Sequence, residues 1–512
     1  VRTRDELKES LARFALTHSS ITPQVVLARF RRRELLRIYL HDIRRTHTLV
    51  ETTEELSNLA DAILDYALSL ARQDLDNKYG SPRRSDERGR SAAAEFCVVA
   101  LGKLGSCELN YASDIDLVFI YSDDGTTSGT GQRGEVSNRE YFIKLSEAVA
   151  KLVGDPAGEG AAYRVDLRLR PHGRDGALAG SLNETVRYYG QTAQAWELQA
   201  LIRARAAAGS AQLFSAFASS IRARVFRPDV SVEEALASVR LAKQKIDKHI
   251  ERNAGGFNVK LNRGGIREIE FIAQALQLAH GGRDDWLRAP HTLISLGRLA
   301  ERNLITEEER SELSDAYTFL RTLEHRLQME HGLQTHTVPQ SQGQRALVAR
   351  RMKFAGAATD QFDRSLRLHT SNVSKAYERV FKGAERHRGA DVLAGDSLVA
   401  ANSPDGSVDP RVEAEVTATA AAANVFAAHL ASTTGHPSVN DDSTVRLLRE
   451  TALTSLNPHR ALTAASRIAS SLDKTDEEIA ISDEDLTALV RLCGASEFFG
   501  EMVASSPTLI TA

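Results

Sequence analysis

Asp114 and Asp116 stand one residue apart near the end of the run Gly102-Lys-Leu-Gly-Ser-Cys-Glu-Leu-Asn-Tyr-Ala-Ser-Asp-Ile-Asp-Leu-Val-Phe-Ile-Tyr121. Side chains alternate faces along a strand, so the two acids share one face and Ile115 and Leu117 take the other. Their Cα atoms would then lie roughly 6–7 Å apart. Two carboxylates at that separation jointly hold Mg²⁺, a hard cation that prefers oxygen ligands. The turn at Gly105-Ser106 offers backbone N–H groups and a hydroxyl where the phosphates of a nucleotide would sit. A metal site needs further ligands, and Tyr163-Arg-Val-Asp-Leu-Arg-Leu-Arg170 offers one. Read as a strand, it puts Val165, Leu167 and Leu169 on one face and Arg164, Asp166, Arg168 and Arg170 on the other. One acid among arginines suits a site that handles both metal and phosphate. An isolated Asp-x-Asp or Gly-bearing turn is common and uninformative; the combination points to nucleotidyl transfer.

The flanking pattern says what positions these residues. Phe96 to Leu101 is continuously apolar and reads as a buried strand, and Ile115 to Tyr121 reads as a second. The first 75 residues read as helical, with Thr52 and Glu55 as a capping box before Leu56, Leu59, Ile63, Leu64 and Leu68. Tyr79 to Ser91 is polar and is expected to be an exposed loop. Asp123 to Gly134, rich in Gly and Thr, is expected to be a mobile loop rather than a phosphate cradle, because no helix start follows it at once. Ser137 or Asn138 would cap the next helix. The basic cluster Arg29-Phe-Arg-Arg-Arg33 has an apolar helical face behind it and reads as a solvated surface. From Ser231 onward, where Ser231 and Glu234 form another capping box, long amphipathic helices suggest a bundle. Gly389 to Pro410 is poor in large apolar residues and reads as a linker. The expected division is a helical region at 1–90, a catalytic core at 91–222, a helical bundle at 223–388, the linker at 389–410 and a helical segment at 411–512.

Several longer motifs then recur in order: Gly102–Tyr121, Arg164-Val-Asp-Leu-Arg-Leu-Arg-Pro171, Trp196-Glu197 with Leu201-Ile-Arg-Ala-Arg205, and Gly264-Gly-Ile-Arg-Glu-Ile-Glu-Phe-Ile-Ala-Gln274. Leu320-Arg-Thr-Leu-Glu-His-Arg-Leu-Gln328 and Gln334-Thr-His-Thr-Val-Pro339 follow. The set closely resembles the bifunctional glutamine synthetase adenylyltransferase/adenylyl-removing enzymes, from about residue 25 to about 385 and more weakly from about 445. That resemblance implies an α+β, mostly helical chain with a polymerase-beta-like nucleotidyltransferase sheet. It implies Mg²⁺ on Asp114, Asp116 and Asp166, with Lys103, Gly105, Ser106, Arg168 and Arg170 about the nucleotide and phosphate. ATP, ADP and phosphate would be substrates or products, and glutamine synthetase and a PII signalling protein the partners. Family members carry two such units, and this sequence holds one. Its Gly265-Ile-Arg267-Glu268-Ile-Glu270 form looks like the N-terminal, adenylyl-removing copy, so we expect a fragment or a split form. Arg267, Glu268 and Glu270 would either close the site or tie the helical domain to the core. Two departures from the family pattern are Ser106-Cys107, where Gly-Arg is more usual, and His172, where Phe is usual. Forward transfer from ATP at the same carboxylates, and a non-catalytic helical adaptor, are the competing readings.

Composition is consistent with this. Among 512 residues, 65 basic against 68 acidic side chains give no general attraction to nucleic acid. No apolar run approaches the ~18–20 residues of a membrane span. Val1-Arg-Thr-Arg-Asp-Glu6 lacks a signal-peptide apolar region. Three cysteines, Cys97, Cys107 and Cys493, fit neither a disulfide framework nor a metal finger. A cytoplasmic protein is expected.

Overall fold

The computed structural model describes residues 1–85, 91–158, 160–250, 256–382, 426, 441–472 and 481–511. The expected linker at 389–410 lies outside them. The chain divides into two compact units, Val1–His325 with Leu366–Phe381, and Arg326–Ser365 with Lys382–Ala512.

The first unit opens with α1 (Arg4–Thr17), α2 (Pro23–Arg44) and α3 (Leu49–Tyr79). The α3 capping box lies one turn earlier than expected. Thr48 and Glu51 satisfy each other's backbone N–H, so Thr52 and Glu55 fall inside the helix and are buried. Both pairs have the S/T-x-x-E spacing, and the earlier start adds a turn of backbone hydrogen bonds. The basic cluster on α2 is not merely solvated: Arg31 donates to the Tyr111 carbonyl at 2.8 Å and lies over the Tyr163 ring. Tyr79–Ser91 is not a plain loop, because β1 (Arg83–Ser85) and β2 (Ser91–Ala93) form an antiparallel pair there.

The central sheet is built from β3 (Phe96–Ala100), β4 (Ile115–Tyr121), β5 (Val165–Asp166), β6 (Ala179–Ser181) and β7 (Arg205–Gly209). Its order is β5-β4-β3-β7, with β6 also on β4; β3 runs antiparallel to β4 and β7, whereas β5 and β6 run parallel to β4. The mixed sheet within a mostly helical chain is the α+β class expected. Strands β3 and β4 are apolar on both faces because helices cover both. On one face Cys97, Val99, Val118 and Ile120 pack with Tyr189, Phe217 and Ile221. On the other, Phe96 stacks on Phe119 and Phe142, with Phe142 carried by α5 (Asn138–Gly154). Ser137 caps α5, one of the two residues expected to do so. The 123–134 segment is pinned rather than loose. Gln132 and Arg133 donate backbone N–H groups to the carbonyls of Asn77 and Lys78, which are otherwise unsatisfied at the C-terminus of α3.

Helices α6 (Leu182–Gln191), α7 (Ala195–Ala200), α8 (Ala211–Val225), α9 (Val232–Ile250), α10 (Ile266–His280), α11 (Thr292–Glu301), α12 (Glu307–His331), α13 (Gln342–Arg351) and α14 (Ala358–Lys382) continue the chain. Ser231 accepts from the Glu234 N–H at the start of α9, as the sequence suggested. The second unit adds four described helices, Asp441–Leu453, Pro458–Leu472, Asp483–Ala495 and Glu497–Ser505. Among the described residues no helix is long and apolar enough to cross a membrane.

Candidate active site

Between β3 and β4 the chain makes one helical turn, α4 (Gly102–Gly105), and returns through Cys107 to Ser113. Gly102 has φ +56, and a Cβ there would lie 2.4 Å from Asp116 Oδ2. Only glycine lets the backbone pass this close to the carboxylate. Asp116 lies on β4, on the same side as Val118 and Ile120, with Asp114 just before the strand. The third acid arrives by register: β5 pairs parallel with β4 so that Asp166 stands beside Asp116 and Val165 beside Ile115. The Ile115 N–H donates to the Arg164 carbonyl at 3.0 Å, which fixes that register. The three carboxylates expected to act together therefore share one strand end.

Their charges are unequally balanced. Arg164 Nε donates to Asp114, and Arg168 donates to Asp166 from its backbone N–H, Nε and Nη2. Those hydrogen bonds from Arg168 hold Asp166 below the usual carboxylate range, despite some desolvation. Asp116 is different. Burial, then the charge of Asp166, pushes its carboxyl up to about 6, with Asp114 adding to the rise and Lys260 and Arg168 opposing it. A buried acid beside two like charges, in an all-oxygen donor set, is the chemistry a hard divalent cation satisfies. Mg²⁺ therefore fits Asp114, Asp116 and Asp166.

The surroundings differ from expectation in four places. The strand through Asp166 ends at that residue, so the alternation stops there. Arg170 then turns back and donates to the carbonyls of Leu167, Arg174 and Gly176, bracing the following loop instead of facing phosphate. Gly105 and Ser106 do not present free N–H groups, because closing the helical turn directs them to the carbonyls of Leu101 and Gly102. The Ser106 hydroxyl also donates within the turn, and the residue is buried. A Cβ at Gly105 would meet the Arg203 carbonyl at 1.9 Å, so this glycine serves packing. Lys103 is committed to Glu324 on α12, with Nζ 3.0 and 3.1 Å from its two oxygens. Burial pulls the Lys103 ammonium down to about 7 against that attraction, with Arg321 and Lys260 adding to the fall. The geometry is that of an ion pair, and desolvation makes it costly to keep charged. Arg168 remains at the site, as partner of Asp166.

Under the turn lies a buried polar network that the motifs signalled but whose partners sequence could not assign. Glu108 accepts from Thr292 and Tyr317, and Arg321 donates to the Glu108 carbonyl and to Asn110. Arg203 pairs with Glu270 at 3.0 Å and donates to Thr292. Burial opposes the ionised form of Glu270, yet Arg203, Lys103, Arg267 and Lys260 hold it down at about 2. Glu268 pairs with Lys243 and accepts from the Gly264 N–H. Glu268 and Glu270 thus tie α10 to its surroundings, Glu270 reaching Arg203 beside the sheet. Arg205, the other arginine of its motif, grips Asp61 on α3 and the Leu104 carbonyl. Sequence reasoning missed Gly102 as the neighbour of Asp116. It also missed Lys260, in the loop before α10, whose charge acts on Asp116 and Glu270. Its position four residues before the Gly264 motif was the available signal. The two departures, Cys107 and His172, both adopt positive φ, 58° and 63°. Burial raises the Cys107 thiol.

A mixed sheet that gathers three carboxylates at the end of one central strand, within helical layers, defines the nucleotidyltransferase class of α+β proteins. Residues 2–220 match the family model Glutamate-ammonia ligase adenylyltransferase, and residues 240–381 match GlnD PII-uridylyltransferase. The chain is 36% identical over 383 residues to the bifunctional glutamine synthetase adenylyltransferase/adenylyl-removing enzyme of Nitrosococcus oceani, covering 73% of this chain and 39% of that one. The protein of the same name from Hahella chejuensis is 37% identical over 331 residues, covering 65% and 34%. That from Thioalkalivibrio sulfidiphilus is 35% identical over 396 residues, covering 75% and 40%. The chain belongs to this adenylyltransferase/adenylyl-removing family, and it spans well under half the length of these relatives.

Proposed function

We propose that the chain removes AMP from adenylylated glutamine synthetase by phosphorolysis, giving ADP and the unmodified enzyme. The observation that carries this reading is the register pair Asp116–Asp166 with Asp114 beside it. Mg²⁺ held by these acids would neutralise the phosphate oxygens during displacement at phosphorus. An oxygen of inorganic phosphate forms the new bond to the adenylyl phosphorus, and the bond from that phosphorus to the tyrosyl oxygen breaks. Asp116 must be ionised to act, so activity should rise as pH passes the range in which it loses its proton. Lys260 supplies positive charge beside Asp116, and Arg168 and Arg164 hold the outer two carboxylates in place. The removing direction is supported by the Arg267-Glu268-Ile-Glu270 form, which resembles the N-terminal copy of the family. A PII-type protein as regulator, and the cytoplasm as location, follow from the same likeness. Incubation with Mg²⁺ and adenylylated glutamine synthetase, with and without phosphate, tests the proposal. ADP should form only with phosphate. Efficient labelling of unmodified glutamine synthetase from ATP would instead establish forward transfer, and no turnover in either direction would leave the adaptor reading.

A further inference from the structure

Phosphorolysis brings a second anion, hydrogen phosphate, to an adenylyl group that is itself anionic. Mg²⁺ on the three acids balances the adenylyl oxygens, and the attacker then needs a cation of its own. Most basic side chains near the cluster and its turn are already spent. Lys103 pairs with Glu324, Arg203 with Glu270, Arg164 with Asp114 and Arg168 with Asp166. Lys260 is not: it makes no ion pair with a described residue. Its charge nonetheless acts on Asp116, more strongly than that of Arg168, and also on Glu270 and Lys103. Arg174, whose charge acts on Asp166, is exposed, and Arg168 already serves that acid.

The backbone around Lys260 is held by its own contacts. Asn258 Oδ1 accepts from the N–H groups of Lys260 and Leu261, both at 3.0 Å. The Lys260 carbonyl accepts from the Arg267 N–H at 3.1 Å in the first turn of α10, and the preceding Val259 is fully buried. Two glycines make this packing possible. A Cβ on Gly265 would lie 2.8 and 3.0 Å from the carbonyl oxygens of Val259 and Lys260. One on Gly264, at φ +77, would lie 2.3 Å from the Thr370 carbonyl on α14. Only residues without a side chain let the turn close this tightly. The glycine pair of the motif thus fixes a half-buried lysine whose charge falls on the acidic cluster. A braced backbone carrying an uncommitted ammonium suits the capture of an anion, and lysine is a common phosphate ligand.

We propose that Lys260 binds the attacking inorganic phosphate, its ammonium donating to the phosphate oxygens while one of them meets the adenylyl phosphorus; this rests on the phosphorolysis reading above. That oxygen bonds to the phosphorus, the bond to the tyrosyl oxygen breaks, and the proton carried by hydrogen phosphate ends on the tyrosyl oxygen. Lys260 supplies charge and no proton.

ADP formation by the whole chain at fixed Mg²⁺, with phosphate and adenylylated glutamine synthetase varied in turn, tests it. Lys260→Gln should raise the phosphate KM about tenfold to a hundredfold, the range for one hydrogen bond to a charged group. The KM for adenylylated glutamine synthetase should stay within about twofold, since that substrate is held elsewhere. Lys260→Arg, which keeps the charge, should recover most of the loss. A second measurement needs no variant and no turnover. Acetylation of Lys260 in the wild-type chain with Mg²⁺, followed by mass spectrometry, should slow on adding phosphate but not on adding chloride to the same ionic strength. A wild type that makes no ADP would remove the phosphorolysis reading and this proposal together. ADP formation with an unchanged phosphate KM in Lys260→Gln, or acetylation indifferent to phosphate, would overturn this proposal alone.

Discussion

Replacing Asp116 by Asn should abolish turnover and at the same time make the metal-free protein more stable. In the folded chain burial and Asp166 move this carboxyl from 3.8 to about 6. At about 1.36 kcal/mol per pH unit, keeping it ionised at neutral pH costs the fold up to about 3 kcal/mol. Asparagine removes the charge but not the burial, so a gain of about 1–3 kcal/mol is expected near pH 7.5. The sign follows from linkage: a folded-state carboxyl raised above its unfolded value contributes stability below pH 3.8, and that stability is lost as pH rises through about 6. The difference between variant and wild type should therefore be small near pH 4 and full above pH 7. The protein's two tryptophans, Trp196 and Trp286, both belong to the unit that carries the site. Urea unfolding followed by their fluorescence in EDTA thus reports that unit alone. A variant less stable than wild type at pH 7.5 without metal, or a difference that ignores pH, would refute the reasoning. So would a variant that keeps near-normal Mg²⁺-dependent activity.

Gly102→Ala should cost about 1–2 kcal/mol from its positive φ and displace the Asp116 carboxylate, weakening Mg²⁺ binding by at least about tenfold in titration calorimetry. Glu324→Gln leaves Lys103 buried without its carboxylate and should destabilise the fold by about 3 kcal/mol near pH 6 in urea melts. That deficit should shrink toward pH 9, because Lys103, already drawn down to about 7, sheds its proton. Burial pushes the Cys97 and Cys493 thiols up to about 12 and also raises Cys107, so a thiol reagent at pH 8 should label the native chain slowly and all three cysteines rapidly in denaturant.

The acidic cluster was legible because it is local. Asp114 and Asp116 share a strand face by the period of two, and β3 and β4 announce themselves by unbroken apolar runs. Asp166 was legible as a candidate, but its place beside Asp116 is a matter of strand register, which no property of the segment 163–170 specifies alone. The same segment misled for Arg170, since alternation assumes a strand that in fact ends after two residues. Lys103 and Ser106 were misread for a different reason. Their chemistry suits phosphate, but their partners are decided by tertiary packing: Glu324 is 221 residues away along the chain. The capping box at Thr48 shows the ordinary limit on helix ends, where two overlapping signals one turn apart both satisfy the rule.

That separation has a consequence for how the protein is made. Translation proceeds at about 5–20 residues per second, so roughly 11–44 seconds pass between the appearance of Lys103 and that of Glu324. Glu108 waits almost as long for Tyr317, 209 residues on. During that interval the strands of the nascent core can pair, but the ionised groups beneath the Gly102 turn have only water as a partner. Desolvating them early would be costly, so the turn stays hydrated until α12 has left the ribosome. The exclusion of water from the floor of the acidic cluster therefore waits for α12. A stalled or truncated chain ending before α12 would carry all three aspartates on a floor that never dries.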